Sequence, residues 1–230
     1  MIKIKEVSKI YPSSENGPTI ALDNVSFDIR EKEFVSLVGR SGAGKTTLLK
    51  MVLGEERPTE GEINFDGVDI SKLKKRELPF LRRRIGTVFQ DYKLFENKTA
   101  YENVAYGMEV IGASDEEIER DVPQVLDIVG LADKFCNFPA ELSGGEKQRL
   151  GIARALIHRP DVILADEPTG NLDPYHTHDI IQLLVKIYQS GTTVILATHD
   201  KEVINSLGKR VITLDKGKVV RDEERGRFVL

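Results

Sequence analysis

Hydrophobic positions along the chain form two kinds of pattern. Residues 33–38, 162–165 and 193–197 are short, nearly continuous apolar runs, typical of strands that are buried on both faces. Residues 180–187 instead carry apolar side chains at helical spacing, and Asp173-Pro174 before them supplies an N-cap and a first helical residue. Since buried strands and amphipathic helices alternate, the pattern predicts an α/β fold with a largely parallel sheet.

Alternating apolar and polar residues predict half-buried strands near both ends of the chain. Residues 2–7 and 21–30 are two such strands, separated by a loop at residues 12–18 that is rich in turn-forming residues. Residues 61–70 predict a hairpin that turns at Asp66-Gly67, and residues 210–221 predict another. The early strands indicate a small antiparallel sheet beside the parallel one.

The stretch at residues 91–149 is helix-rich and more polar than its flanks. A capping box at Ser114 opens one helix there, and Pro123 interrupts that helix or starts the next. We interpret this stretch as a helical subdomain inserted into a single domain, whose core is residues 1–90 and 150–230.

A glycine-rich loop follows the predicted strand at residues 33–38. It is Gly39-Arg40-Ser41-Gly42-Ala43-Gly44-Lys45-Thr46-Thr47, and residues 46–53 after it are predicted to be helical. The spacing Gly-x-x-x-x-Gly-Lys-Thr between a strand and a helix predicts a phosphate-binding loop. Glycines let the backbone N–H groups face inward, Lys45 would reach the β- and γ-phosphates, and the Thr46 hydroxyl would reach Mg²⁺. The alternative is a chance match, against which the flanking elements argue.

Two carboxylates follow the predicted strand at residues 162–165. Asp166 and Glu167 stand at its carboxyl end, the edge where α/β sheets bind ligands. In a chain with a phosphate loop, Asp166 would hold Mg²⁺ through its water shell, and Glu167 would orient and polarise the attacking water. Two solvent-facing acids in a turn are the alternative.

Small residues precede a second predicted helix, which we expect to begin near Lys147. Leu142-Ser143-Gly144-Gly145-Glu146 would place N–H groups at the start of this helix and create a second anion site. An ordinary Ser-Gly-Gly turn is the alternative.

Composition limits the classes of function. The chain has 230 residues, 40% hydrophobic and 30% charged, which suffices for one large domain with an insertion. A formal charge of −4 gives no electrostatic attraction to nucleic acid, and the single Cys136 excludes an internal disulfide. We expect no signal peptide and no membrane span, so that any membrane role would require a partner. The basic stretch at residues 72–84 is either a solvated face or a contact for an acidic partner or anionic lipid headgroups.

Seven motifs in one order resemble those of ABC-type ATPases over essentially the whole chain. They are Tyr11, the loop at residues 39–47, Gln90, residues 142–149, Asp166-Glu167, residues 171–173 and His199. The resemblance implies a P-loop NTPase fold, RecA-like, with an antiparallel β subdomain and an inserted helical subdomain. It also implies ATP and Mg²⁺ as cofactors and ATP hydrolysis as the reaction.

The resemblance further implies roles for three residues around one nucleotide. Tyr11 would stack on adenine, Gln90 would sense Mg²⁺ and the attacking water, and His199 would contact the γ-phosphate. Each has a plain alternative: Tyr11 ends a strand, Gln90 is a polar strand end, and His199 is a capped loop histidine. His199 follows the predicted strand at residues 193–197, which favours a position at the ligand-binding edge.

A composite site between two copies of the chain is also implied. Ser143 and Gly145 would contact the γ-phosphate bound by another protomer, and Asp173 would lie at the dimer junction. One phosphate loop and one Ser143–Glu146 stretch per chain then imply a head-to-tail homodimer that encloses two ATP molecules.

Several stretches are similar to the FtsE subfamily of bacterial cell-division ATPases, namely residues 88–94, 99–106, 108–112, 165–174 and 217–223, although Ala100 replaces the more common Val. This similarity implies docking on a polytopic membrane protein of the FtsX type at the cytoplasmic face of the inner membrane. ATP would then drive a signal to peptidoglycan hydrolases, and other division-site proteins are further candidate partners. The alternatives are the ATPase of a lipoprotein-release or macrolide-efflux transporter, a soluble ABC protein acting on nucleic acid or ribosomes, and a nucleotide-binding module that never hydrolyses.

Overall fold

The computed structural model describes residues 1–12 and 17–228, so part of the predicted loop at residues 12–18 lies outside the described residues. In chain order the elements are β1 (Ile2–Tyr11), β2 (Thr19–Ile29), β3 (Phe34–Val38), α1 (Lys45–Val52), β4 (Glu60–Phe65), β5 (Val68–Asp69), α2 (Leu78–Arg82), β6 (Ile85–Phe89), α3 (Ala100–Glu109), α4 (Asp115–Ile128), α5 (Gly144–Leu156), β7 (Val162–Asp166), α6 (Pro174–Gln189), β8 (Thr193–Thr198), α7 (Lys201–Leu207), β9 (Arg210–Asp215) and β10 (Lys218–Glu223). Among these helices, none is both long and apolar enough to cross a membrane.

Contacts group the chain into two compact units. The first unit comprises residues 1–82 and 193–230, and the second comprises residues 83–192. The predicted subdomain boundaries at residues 91 and 149 follow a change in sequence character and stay a prediction.

The first unit contains an antiparallel sheet in the order β2-β1-β4-β5. β1 runs to Tyr11, beyond the predicted end at Val7, because it is paired on both sides: Tyr11 pairs with Thr19 of β2, and Ser8 pairs with Glu60 of β4. The β4–β5 hairpin turns at Asp66-Gly67, as predicted, with both residues at positive φ.

The first unit also contains parallel strands around the fully buried β3. β3 lies between β8 and β9 and runs parallel to both, and β10 continues this sheet antiparallel to β9. Val38, the last residue of β3, pairs with Thr198 and with Thr213. The residues that follow β3 and β8 therefore emerge side by side at the carboxyl edge of the sheet.

In the second unit α5 packs on β6 of the parallel pair β6–β7, and α3, α4 and α6 pack on α5. The capping box at Ser114 opens α4 as predicted, but the prediction that Pro123 interrupts this helix or starts the next is wrong. α4 continues through Pro123 because Ile118, Val122 and Leu126 are all buried and hold the helix in place across the missing hydrogen bond. α5 begins at Gly144 instead of near Lys147, since Ser143 caps the helix three residues earlier.

A buried arginine ties the β9–β10 hairpin to the rest of the first unit. Arg210 is 9% exposed and makes two hydrogen bonds to Asp222, at 2.8 and 2.6 Å. It also donates to the Glu33 carboxylate at 3.0 Å and to the Asp28 carbonyl at 2.8 Å. The hydrogen bond to Asp222 raises the pKa of the Arg210 guanidinium, which therefore stays charged.

Replacing Arg210 with Met should lower the free energy of unfolding by about 3 kcal/mol, because it leaves the Glu33 and Asp222 carboxylates without their cation. Urea denaturation monitored by circular dichroism measures the change. Arg221→Met on the same hairpin is the matched control; Arg221 pairs with Glu223 at 2.6 Å, but both side chains are 36% exposed. The control should lose less than about 1 kcal/mol, and equal losses for the two variants would contradict the prediction.

Candidate functional site

The predicted phosphate loop has the backbone of an anion cradle. Gly42 and Gly44 adopt φ of 80° and 104°, which only glycine reaches without strain. Gly44 caps α1 without a side chain, and the first turn of α1 contains no acidic residue. The positive end of α1 is therefore neither capped by a side chain nor neutralised by an acid, which is the arrangement that phosphate requires.

Lys45 supplies a buried cation to this loop. It is 6% exposed, and its Nζ donates to the carbonyl oxygens of Gly39, at 2.8 Å, and Arg40, at 3.4 Å. A buried ammonium needs such acceptors because it has lost water. The cation and the helix terminus have the sign that a polyphosphate needs, and Ser41, Gly42 and Thr46 of the same loop are exposed to receive it. The loop therefore fits the phosphates of a nucleotide.

The loop is packed against β2, which also pairs with the predicted adenine-binding residue. A Cβ on Gly44 would lie 2.5 Å from the Ala21 carbonyl oxygen and 2.6 Å from Leu22 Cδ2, so no side chain fits there. Tyr11 pairs with Thr19, which precedes Ala21 on β2 by two residues. Lys9 Nζ lies 4.9 Å from the centre of the Tyr11 ring. The structure thus places a half-buried aromatic ring a short distance along β2 from the phosphate loop.

His199 emerges beside the phosphate loop. It follows Thr198, which pairs with Val38 directly before the loop. The flanking residues are ordered: the Thr198 hydroxyl accepts from the Asp200 N–H at 3.1 Å, and Asp200 caps α7 by accepting from Glu202 and Val203. The structure therefore brings His199 and the phosphate loop to one sheet edge. The helix α7, which follows His199, is not among the helices predicted from the sequence.

In the second unit, the two carboxylates that are predicted to act on Mg²⁺ and on the attacking water lie at the end of β7. Asp166 is the last residue of this strand and pairs with Phe89, the last residue of β6, so Glu167 and Gln90 follow neighbouring strand ends. Glu167 has φ of 47°, an uncommon conformation for a residue with a Cβ. Backbone strain of this kind is concentrated at functional sites, where the surrounding structure holds a side chain in a required direction.

Gln90 is held by the segment that follows Glu167. Its Nε2 lies 3.4 Å from Asn171 Oδ1, and Asn171 Nδ2 donates to the Gln90 carbonyl oxygen at 3.2 Å. A Cβ on Gly170 would lie 2.7 Å from Gln90 Nε2. The structure therefore brings Gln90, Glu167 and the Gly170-Asn171 turn together within this unit.

A reciprocal cap organises the start of α5. The Ser143 hydroxyl accepts from the Glu146 N–H at 3.3 Å, and the Glu146 carboxylate accepts from the Ser143 N–H at 2.8 Å. The hydrogen bond from the Ser143 backbone holds the pKa of Glu146 below its usual value, so Glu146 is charged near neutral pH. The Ser143 side chain also hydrogen-bonds the Glu146 carboxylate and lowers its pKa further, so the cap is reciprocal.

The start of α6 contacts the start of α5. Asp173 caps α6 by accepting from the Tyr175 and His176 N–H groups at 2.9 and 3.0 Å, and its other oxygen pairs with His176 Nδ1. This pairing with His176 is the main cause of the lowered pKa of Asp173. A Cβ on Gly145 would lie 2.9 Å from His176 Cγ, so the ring packs directly on the α5 backbone. Sequence reasoning missed His176, although its position three residues after an N-cap Asp was an available clue.

The residues predicted to hold Mg²⁺, Thr46, Gln90 and Asp166, each carry an oxygen atom in the side chain. Within the described ranges 1–12 and 17–228, no group of three or more His, Cys, Asp or Glu residues could hold a metal by itself. Mg²⁺ prefers few protein ligands and takes the remainder from phosphate oxygens and water. The oxygen donors of this chain fit an ion that arrives with a nucleotide.

Adding a methyl group at Gly145 should lower stability, because the His176 ring occupies the space. We expect Gly145→Ala to lose about 1–3 kcal/mol of unfolding free energy in urea denaturation. Gly144→Ala is the matched control, since its Cβ would lie 3.3 Å from Tyr92 Oη and 3.4 Å from Leu172 Cδ2. The control should lose less than about 1 kcal/mol. Equal losses in the two variants would show that contact with the His176 ring does not cause the loss of stability.

Comparisons with known proteins agree with this geometry. The sequence profile of the ABC transporter family matches residues 22–170. The cell division ATP-binding protein FtsE of Bacillus subtilis is 50% identical over 99% of this chain and 98% of its own length, and that of Escherichia coli K12 is 49% identical over 94% and 96%. A dimeric structure of a bacterial ABC transporter cassette matches with a TM-score of 0.89 and 41% identity, over 99% of this chain and all of that chain. A dimeric post-hydrolysis cassette bound to ADP and Pi matches with a TM-score of 0.88 and 40% identity, over the same shares.

Proposed function

The chain belongs to the ABC transporter family, and we propose that it is the ATP-binding and ATP-hydrolysing subunit of an FtsEX-type membrane complex. In this complex, ATP-driven dimerisation is coupled to cell division and to the activation of peptidoglycan hydrolases. The observation that carries the proposal is the identity of 50% with an FtsE protein over nearly the full length of both chains.

The phosphate loop binds the nucleotide. Its backbone N–H groups and the Lys45 ammonium neutralise the β- and γ-phosphates, while Tyr11 stacks on the adenine. Gly39, Arg40, Ser41, Gly42, Ala43, Gly44 and Thr47 complete the loop around the phosphates. When bound, Mg²⁺ neutralises phosphate charge, and Thr46, Asp166 and Gln90 are the residues that would hold it.

Glu167 is the general base for the attacking water. Its backbone conformation at φ 47° supports this assignment, because a strained acid after a buried strand has a fixed direction. His199 contacts the γ-phosphate, and its place beside the phosphate loop supports that role. Gln90 senses Mg²⁺ and the attacking water, and its hydrogen bond to Asn171 limits where its amide can point.

Two copies of the chain complete two composite sites. Ser143, Gly144, Gly145 and Glu146 bind the γ-phosphate held by the other protomer, and Asp173 lies at the dimer junction. Two observations support this assembly: the position of Ser143 as the N-cap of α5, and the dimeric state of the cassettes that are 40% and 41% identical to this chain.

A polytopic membrane protein of the FtsX type is the partner, so the chain is peripheral at the cytoplasmic face of the inner membrane. Other division-site proteins are further candidate partners. Nucleic acid is not a partner, and the formal charge of −4 supports this exclusion.

Replacing Glu167 with Gln should remove the base and leave ATP binding intact. Turnover should fall about 100-fold or more, measured as phosphate release, while the affinity for ATP stays near that of the wild type. Light scattering with Mg-ATP should show a shift in mass from one copy to two. Glu119→Gln, an exposed change in the same unit, is the control and should keep full turnover. Unchanged turnover in Glu167→Gln would remove this residue from the role of base.

The alternative function is the ATPase of a lipoprotein-release or macrolide-efflux transporter. One observation favours keeping it: the solved cassette that is 41% identical over 99% of this chain is described as a transporter cassette. Purification of the chain with its native membrane partner separates the two functions. A partner whose large extracytoplasmic loop binds a wall hydrolase is the expected result, and a partner that binds lipoproteins would overturn the division role.

A further inference from the structure

A basic segment lies in the first unit of this otherwise acidic chain. Residues 72–82 contain five basic residues and one acid, whereas the whole chain has a formal charge of −4. The side chains Lys72, Lys74, Lys75, Arg76 and Arg82 are all exposed. We call these five residues together with Phe80 the basic surface.

The acids near the basic surface leave most of its charge uncompensated. Glu77 is used to cap a turn, since its Oε2 accepts from the Lys74 N–H at 2.7 Å. Asp69 pairs with Lys72 at 2.8 Å. Among the described residues, no ion pair joins Lys74, Lys75 or Arg76 to a carboxylate, so these three adjacent cations face solvent.

An exposed aromatic ring follows the three cations. Phe80 is 65% exposed on the short helix α2, although its neighbour Leu81 is 7% exposed. Leu78 also packs inward, because its Cδ2 would lie 2.6 Å from a Cβ on Gly54. Leu78 and Leu81 therefore fix α2 to the first unit and leave the Phe80 ring outside the core.

We propose that the basic surface binds anionic phospholipid headgroups directly, with Phe80 inserted at the boundary between headgroups and acyl chains. Exposed cations beside an aromatic side chain are the combination that holds proteins at an anionic bilayer surface. An acidic protein would pair with the cations, but an anionic bilayer also offers the exposed Phe80 ring an apolar environment beside its headgroups. This membrane contact is additional to the FtsX-type partner of the proposed function and does not depend on it.

Vesicle flotation tests the proposal with the full chain and no membrane partner. The probes are vesicles of phosphatidylcholine alone and vesicles with one-third phosphatidylglycerol, at low and high salt. The wild type should float with the anionic vesicles only, and high salt should release it because screening weakens contacts with exposed charges. Failure of the wild type to bind anionic vesicles would overturn the proposal.

Three variants assign the binding to the basic surface. Each basic residue near an anionic surface contributes roughly a fivefold gain in partitioning, so Lys74→Gln, Lys75→Gln and Arg76→Gln combined should lose about 100-fold. The matched control combines Lys3→Gln, Arg225→Gln and Arg227→Gln, three exposed positions in the same unit with the same change in charge. Phe80→Ser should lose several-fold at low salt, since its apolar contribution adds to that of the charges.

The outcomes separate the alternatives. Equal losses in the two triple variants would show attraction by net charge alone and would overturn the proposal. Release by inorganic phosphate, beyond the release by sodium chloride at equal ionic strength, would indicate a site for free phosphate instead of lipid and would also overturn it. ATP turnover without vesicles should be unchanged in all three variants, which separates loss of membrane binding from misfolding. Because flotation requires neither hydrolysis nor a partner, the proposal can fail while the ATPase assignment stands.

Discussion

The ammonium group of Lys45 is buried at the point where a parallel strand turns into a helix, and the local structure serves to satisfy it. The charge needs acceptors, which the carbonyl groups of Gly39 and Arg40 provide. Between those carbonyls and Lys45 the chain passes through left-handed conformations at Gly42 and Gly44, which glycine adopts without strain. The same turn directs the start of α1 into the loop. The buried cation, its two acceptors, the glycines and the helix start thus form one local structure between β3 and α1.

Much of the fold could be predicted from the sequence, because its elements are defined by local chemistry. The α/β architecture and the ABC cassette fold are confirmed by the solved cassettes that match at TM-scores of 0.88 and 0.89. Asp173-Pro174 opens α6 as predicted, since a side-chain cap and a fixed φ act within one turn of the chain. The prediction at Pro123 is wrong because the burial of Val122 and Leu126 keeps α4 intact. A rule based on local sequence does not include this burial.

The same distinction between local and long-range effects applies to the site. Motif spacing predicts which residues stand at strand ends, and the register of β3 with β8 and of β6 with β7 places His199, Gln90 and Glu167 accordingly. The contact of His176 with Gly145 was missed, since it joins helix starts that are far apart in the sequence, whereas the pairing of His176 with Asp173 is local. The strained backbone of Glu167 also has no sequence signature. The catalytic and binding roles of these residues stay predictions.

The packing of His176 on Gly145 couples two positions on different helices. A side chain can enter at position 145 only if position 176 loses its ring, and a smaller residue at position 176 would in turn leave a gap over Gly145. A substitution at one position therefore changes the stability cost of a substitution at the other. Substitutions there should be inherited as pairs, so that the start of α5 and the start of α6 evolve as one surface.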